Sequence, residues 1–112
     1  MKTLNEMLKE AMETSEKMDK VVAGVKDMVQ LTEELEQFTA KPEEYVLEGM
    51  LAVMALETVT KTVDTLLGEL MATQDTIVLK MLSDEIKQAI QGKEEYFVTA
   101  LMLVGVDLGG IL

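Results

Sequence analysis

The polar and apolar residues in the first third of the chain follow a seven-residue repeat. From residue 3 to residue 39, positions a, d and e are mostly apolar, whereas charged residues fall almost entirely at the other four positions. An apolar stripe of this width is typical of a helix in a bundle. The pattern predicts one long helix at about 3–39, with position a at Leu4, Ala11, Met18, Val25 and Thr32, position d at Met7, Thr14, Val21, Met28 and Leu35, and position e at Leu8, Ser15, Val22 and Val29.

A proline marks the start of the second helix. Lys41 precedes Pro42, and the residue before a proline is pushed out of helical geometry. Proline itself fits the first turn of a helix, and Glu43 and Glu44 add negative charge where the helix dipole favours it. We therefore expect a second helix at about 42–72, and the short connection predicts an antiparallel hairpin with the first helix.

Two shorter helices are expected to follow, at about 76–91 and 93–108. Thr73 or Asp75 has the residue type that caps the beginning of a helix. One unbroken helix over 42–91 is the alternative to a break at this point. In either case the predicted fold class is all-α, an antiparallel helical bundle.

Two segments are apolar on nearly all sides: the first half of 45–70, and 97–106. Such a helix is buried either in protein or in a membrane, and 97–106 is shorter than the ~20 residues that span a bilayer. We expect 45–70 to be the central helix of a single domain, 1–112, that is completed by homo-oligomerisation, most simply as a dimer. The predicted partner-binding residues are Phe97, Leu101, Met102, Val104, Gly49, Met50 and Met54.

The chain contains ten methionines among its 112 residues. Methionine is flexible and fills irregular gaps. Because most of the methionines fall on the predicted inward faces, we expect them to pack in the core. The alternative is an adaptable groove that accepts a helix of a partner protein.

The net charge of −11 and the absence of arginine narrow the range of partners. Nucleic-acid sites need basic patches and commonly use arginine, and anionic membrane surfaces repel an acidic chain. We therefore predict no nucleic-acid and no membrane partner. A protein partner, including a basic one, fits the charge. The N-terminus lacks the apolar region of a signal peptide, so a cytoplasmic location is expected.

The chain has neither cysteine nor histidine. Thiol nucleophiles, histidine-dependent triads and the usual ligands of zinc, copper and iron are therefore missing, and we predict no catalytic residue, cofactor or metal site. The leading hypothesis is a non-enzymatic helical interaction protein, such as a small acidic chaperone, adaptor or inhibitor. It would bind another protein through Met-rich apolar helical surface.

Two other functions were weighed from the carboxylates. Glu33 and Glu36 have the E-x-x-E spacing that resembles one half of the magnesium site of all-α nucleotide pyrophosphohydrolases. The E-x-x-D half is missing, because Lys61 stands three residues before Asp64. A magnesium-dependent hydrolase that uses carboxylates alone is one alternative. An acidic decoy that occupies the nucleic-acid site of an enzyme is the other, and it rests on charge alone.

Overall fold

The protein is an all-α helical bundle. The computed structural model describes residues 1–105, apart from the side chain of Pro42. These residues form four helices and no strand: α1 (Leu4–Ala40), α2 (Pro42–Met71), α3 (Thr76–Ala89) and α4 (Glu94–Val104). The predicted fold class and the predicted break between the second and third helices are confirmed. The last predicted residues of the fourth helix, 106–108, lie outside the described residues.

Side-chain caps fix where two of the helices begin. The Thr3 hydroxyl accepts a hydrogen bond from the backbone N–H of Glu6 (3.2 Å) at the start of α1. The Asp75 carboxylate accepts hydrogen bonds from the N–H groups of Ile77 (3.0 Å) and Val78 (3.3 Å) at the start of α3. These caps satisfy N–H groups that no helical carbonyl can reach. Asp75 therefore begins a new helix instead of prolonging α2.

The first two helices form an antiparallel hairpin that turns at a single residue, Lys41. Near the turn, Gly49 of α2 lies beside Phe38 of α1. At the far end, Lys17 forms an ion pair with Glu69 (3.3 Å). Because α2 ends two residues after Glu69, the first part of α1 has no α2 beside it.

The helix in the centre of the bundle is α1. It packs against all three other helices, and it makes more contact with α3 and α4 than α2 does. Between residues 14 and 26 it lies beside α3, and near Glu33 it meets the start of α4. Within residues 1–105, α3 and α4 make no close backbone contact with each other. We expected 45–70 to be the central helix; α2 does touch all three other helices, but α1 packs more extensively than α2 against α3 and α4 and is the better candidate for the centre.

The core confirms the predicted heptad register in the middle of α1. Every buried residue of this helix occupies position a, d or e, and the buried hydroxyl of Thr32 donates to the carbonyl oxygen of Met28 (2.8 Å). One apolar cluster joins the four helices: Met18, Val21, Val25, Met28 and Val29 of α1, Leu56, Val63, Leu67 and Leu70 of α2, Leu82 and Ile86 of α3, and Phe97 and Ala100 of α4.

The molecule is a rod that leaves much of its surface uncovered. Its extents are 61 × 23 × 19 Å and its radius of gyration is 16.3 Å, whereas a compact chain of this length has about 13 Å. Its accessible surface is 7717 Å², against about 6,100 Å² for a compact monomer of the same mass. The elongated shape accounts for this larger surface, and many large apolar residues of the two long helices are exposed.

At Gly24 the two helices of the hairpin approach each other closely. A Cβ atom at this position would overlap a methyl group of Val63, which is fully buried. We predict that Gly24→Ala lowers the free energy of unfolding, because overpacking costs about 1–3 kcal/mol and exceeds the helix-propensity gain of about 1 kcal/mol. Urea unfolding followed by circular dichroism measures the change.

Gly68 provides the matched control. A Cβ atom there would meet nothing within 4 Å, so Gly68→Ala should raise the free energy of unfolding by about 0.5–1 kcal/mol. Equal stabilisation by Gly24→Ala and Gly68→Ala would show that the two long helices do not pack closely at Gly24.

Thr60 is buried, and its hydroxyl has no hydrogen-bond partner among the residues that the structure describes. An unsatisfied buried group costs about 1–3 kcal/mol, and an apolar group of the same shape avoids that cost. We expect Thr60→Val to raise the midpoint of urea unfolding. Thr32→Val, which loses the bond to Met28, should not raise it, and a gain of the same size in both variants would contradict this assignment.

Candidate functional site

Eight of the ten methionines lie on the surface, and only Met18 and Met28 are buried. The expectation that the methionines pack mostly in the core is therefore wrong. The core is filled instead by valine, leucine, isoleucine and one phenylalanine. Exposed methionines are frequent on surfaces that adapt to different partners, because the side chain is flexible and polarisable.

An apolar groove lies at the hairpin end of the rod, between the last turns of α1 and the first turns of α2. It has a volume of about 440 Å³. We call it the tip groove, and its lining residues are Leu35, Phe38, Thr39, Tyr45, Val46, Gly49, Met50, Val53 and Met54. Apart from the hydroxyl groups of Thr39 and Tyr45, the lining side chains are apolar, so the groove suits an apolar ligand surface.

A backbone kink shapes the tip groove. The backbone leaves helical geometry at Tyr45 (φ −124°, ψ 25°) inside α2. The Tyr45 ring packs against Phe38 of α1 with 5.6 Å between centroids. A pair of aromatic rings at this distance adds rigid apolar area. The groove therefore combines a fixed aromatic wall with the flexible side chains of Met50 and Met54.

Three of the seven predicted partner-binding residues line the tip groove. They are Gly49, Met50 and Met54, and both methionines are about 60% exposed: 59% for Met50 and 61% for Met54. The groove residues that the sequence analysis missed are mainly Phe38 and Tyr45. Phe38 lies one turn beyond Leu35, the last residue of the heptad pattern in α1. The hairpin turn brings Phe38 opposite α2, beside Gly49. The predicted hairpin could therefore have identified Phe38 as a neighbour of α2.

The four predicted residues of the fourth helix do not form one exposed surface. Phe97 lies in the core and is 1% exposed, which corrects its assignment as an accessible partner-binding residue. Met102 is 77% exposed, whereas Leu101 and Val104 are half-buried against the core. Because an apolar residue can serve on either side of this helix, the sequence did not show which side faces α1 and α2.

Negative charge is concentrated in the segments that form the end of the rod with the tip groove. Residues 33–57 and 93–95 contain nine carboxylates and two lysines, a net charge of −7 out of −11 for the whole chain. The two segments are neighbours, because Lys93 at the start of α4 forms an ion pair with Glu33 of α1. We call these two segments, 33–57 and 93–95, the acidic rim. A surface with this charge attracts basic partners and repels acidic ones.

Glu33 and Glu36 contact groups at the start of α4. Glu33 accepts a hydrogen bond from Lys93, whose ammonium group also lies 5.6 Å from the centre of the Tyr96 ring. The negative charge of Glu36 raises the pKa of the Tyr96 hydroxyl above its ordinary value. Glu33 is therefore engaged in holding α4 against α1, and Glu36 lies close enough to the Tyr96 hydroxyl to affect its pKa.

Residues 1–105 contain neither a metal-binding cluster nor a membrane-spanning helix. In this part of the chain, no three acidic side chains converge at a position that could hold a metal ion. None of its helices is both long and apolar enough to cross a membrane.

Comparison with known protein families, curated proteins and solved structures found no match to this chain. Its function is therefore inferred from its own surface.

Phe97 and Met102 give opposite expectations for stability. Phe97→Ala removes a fully buried ring, which costs about 3–5 kcal/mol, a large part of the stability of a typical domain. Met102→Ala changes an exposed side chain and should stay within about 0.5 kcal/mol. Thermal unfolding of the two variants checks this, and a small effect of Phe97→Ala would contradict the packing of α4.

Proposed function

We propose that this protein is a non-enzymatic helical interaction protein that binds a helix of another protein in the tip groove. The observation that carries the proposal is the exposure of Met50, Met54 and their apolar neighbours in one groove. Such a surface costs solubility unless a partner covers it, and contiguous apolar patches commonly mark interaction sites.

The dimensions of the tip groove favour a helical ligand. From residue 45 to residue 54, α2 rises about 14 Å at 1.5 Å per residue. Helices that dock in grooves use apolar anchors at i, i+3 or i+4, and i+7, which span about 11 Å of helix at the same rise. A ligand helix with three such anchors therefore matches the length of the groove.

The acidic rim favours a basic partner. The acidic rim carries a net charge of −7. It would attract lysine or arginine on the polar side of a ligand helix. Such attraction mostly accelerates association and selects the partner. The ligand we propose is therefore a basic amphipathic helix. An acidic chaperone, adaptor or inhibitor would use such a site, and the cytoplasmic location stays a prediction.

The lack of histidine and cysteine also favours binding over catalysis. General acid–base chemistry near neutral pH relies most often on histidine. Of the carboxylates on which a magnesium-dependent hydrolase would depend, Glu33 is already paired with Lys93.

Three synthetic peptides of about 18 residues test the proposal. The first is an amphipathic helix with leucine at i, i+3, i+4 and i+7 and lysine on the polar side. The second has glutamate in place of lysine, and the third has the composition of the first in scrambled order. We expect the first to bind with a dissociation constant of about 10 μM or lower in fluorescence anisotropy, and the other two to bind at least about tenfold more weakly.

Two double variants locate the binding site. Met50→Gln/Met54→Gln keeps side-chain length but makes the groove polar, and it should weaken binding of the first peptide about tenfold or more. Met102→Gln/Leu103→Gln makes the same change on exposed residues of α4 and should leave binding unchanged. An equal loss in the second variant would place the site on α4.

The scrambled peptide separates the proposed function from the acidic decoy. Binding of the scrambled and amphipathic lysine peptides with equal affinity would show recognition of charge without a groove, as expected of a decoy. The absence of binding by all three peptides would remove the tip groove as a helix-binding site.

A further inference from the structure

The apolar stripe of α1 continues beyond the bundle. Every residue from 1 to 13 is exposed, and we call this segment the overhang. Four of its six apolar residues, Leu4, Met7, Leu8 and Ala11, form the overhang stripe. They occupy the same heptad positions a, d and e that are buried further along α1. The same pattern is therefore covered in the middle of the helix and uncovered at its start.

The overhang borders an unfilled groove. This groove has a volume of about 820 Å³, and it runs between α1 and the beginning of α3. Its apolar lining comes from Met7, Ala11 and Met18 on α1 and from Val78 and Met81 on α3. Exposed Ile77 lies on the same end of α3. The overhang stripe is thus one side of a larger apolar surface.

A helix of this length needs support. The overhang contains about ten helical residues, and isolated helices shorter than about 12–15 residues are marginal in water. Its Thr3 cap holds the first turn, but no other helix within residues 1–105 covers its stripe.

We propose that the overhang is a homodimerisation element, in which the overhang stripe of one protomer packs antiparallel against the same stripe of a second copy. This arrangement has two-fold symmetry, so both protomers contribute the same surface, the overhang stripe, to the interface. The proposal does not depend on the tip groove or its ligand.

Charge selects this end of the rod for contact between copies. Residues 1–20 carry four lysines and five carboxylates, a side-chain charge of only −1. Lys2 and Lys9 alternate with Glu6 and Glu10, so two copies can approach with opposite charges near each other. At the tip, each copy would bring a net charge of −7, and like charges oppose association.

The uncovered area is large enough for a stable dimer. The protomer exposes 7717 Å², about 1,600 Å² more than a compact monomer of its mass. A standard interface removes about 800 Å² from each partner. The excess over the whole rod is thus about twice the area that a dimer of standard size removes from one protomer.

Sedimentation velocity of the full chain at about 1–200 μM tests the proposal, since dimers of standard size bind with micromolar or tighter constants. We expect a species of twice the 12.4 kDa protomer mass. A monomer throughout this range would overturn the proposal.

A pair of variants on the overhang locates the interface. Leu4→Glu/Leu8→Glu places charges in the stripe and should raise the dimer dissociation constant by about 100-fold or more, because buried charges without partners oppose association. Met12→Glu lies on the same overhang but outside the stripe and should leave the dimer intact. Dissociation by Met12→Glu to the same extent, or persistence of the Leu4→Glu/Leu8→Glu dimer, would contradict the proposed contact.

Two further readouts separate folding and ligand binding from dimerisation. The Leu4→Glu/Leu8→Glu variant should keep the α3 and α4 core, because both positions are exposed; a cooperative urea transition would show this. It should also bind the lysine peptide at the tip with unchanged affinity. A dimer that instead dissociates in Met50→Gln/Met54→Gln would place the interface at the tip and overturn the proposal.

Discussion

The antiparallel pairing of α1 with α2 is the interaction on which the rest of the structure depends. The close approach at Gly24 brings the backbone of α1 against Val63, and the two helices together supply most of the core. Because the turn is a single residue, the two helices begin side by side at the tip. Helix α1 has 37 residues and α2 has 30, so α1 extends further. The seven extra residues correspond to about 10 Å, and they leave the overhang without α2 beside it.

The middle of the fold was predictable because its determinants are local. The heptad pattern predicted which side of α1 is buried between Met18 and Thr32. Asp75, one of the two predicted cap residues, begins α3. Periodicity does not reveal how far a neighbouring helix extends, so the same pattern predicted burial for Leu4, which is exposed. The role of Gly24 depends on Val63, 39 residues further along, so the local pattern does not reveal it.

The candidate site was only partly predictable, and the reason is again physical. Helix α4 is apolar on all sides, so hydrophobicity alone does not distinguish Phe97, which packs in the core, from Met102, which faces outward. The groove at the tip requires both the hairpin turn and the kink at Tyr45. The hairpin turn was predicted from Pro42, whereas the kink has no signal in the sequence that we can identify.

Charge distinguishes the two uncovered ends of the rod, and the partners that we propose for them differ accordingly. The Debye length in physiological salt is about 8 Å. Carboxylates that lie within this distance of each other therefore act together on an approaching partner. The tip therefore disfavours a second acidic copy and favours a basic helix, whereas the nearly neutral overhang tolerates self-association. An antiparallel contact between overhangs would direct the two tips away from each other, so both tip grooves would remain open. A dimer of this kind would bind two helices of one target more tightly than a single protomer, provided that the target spans both tips.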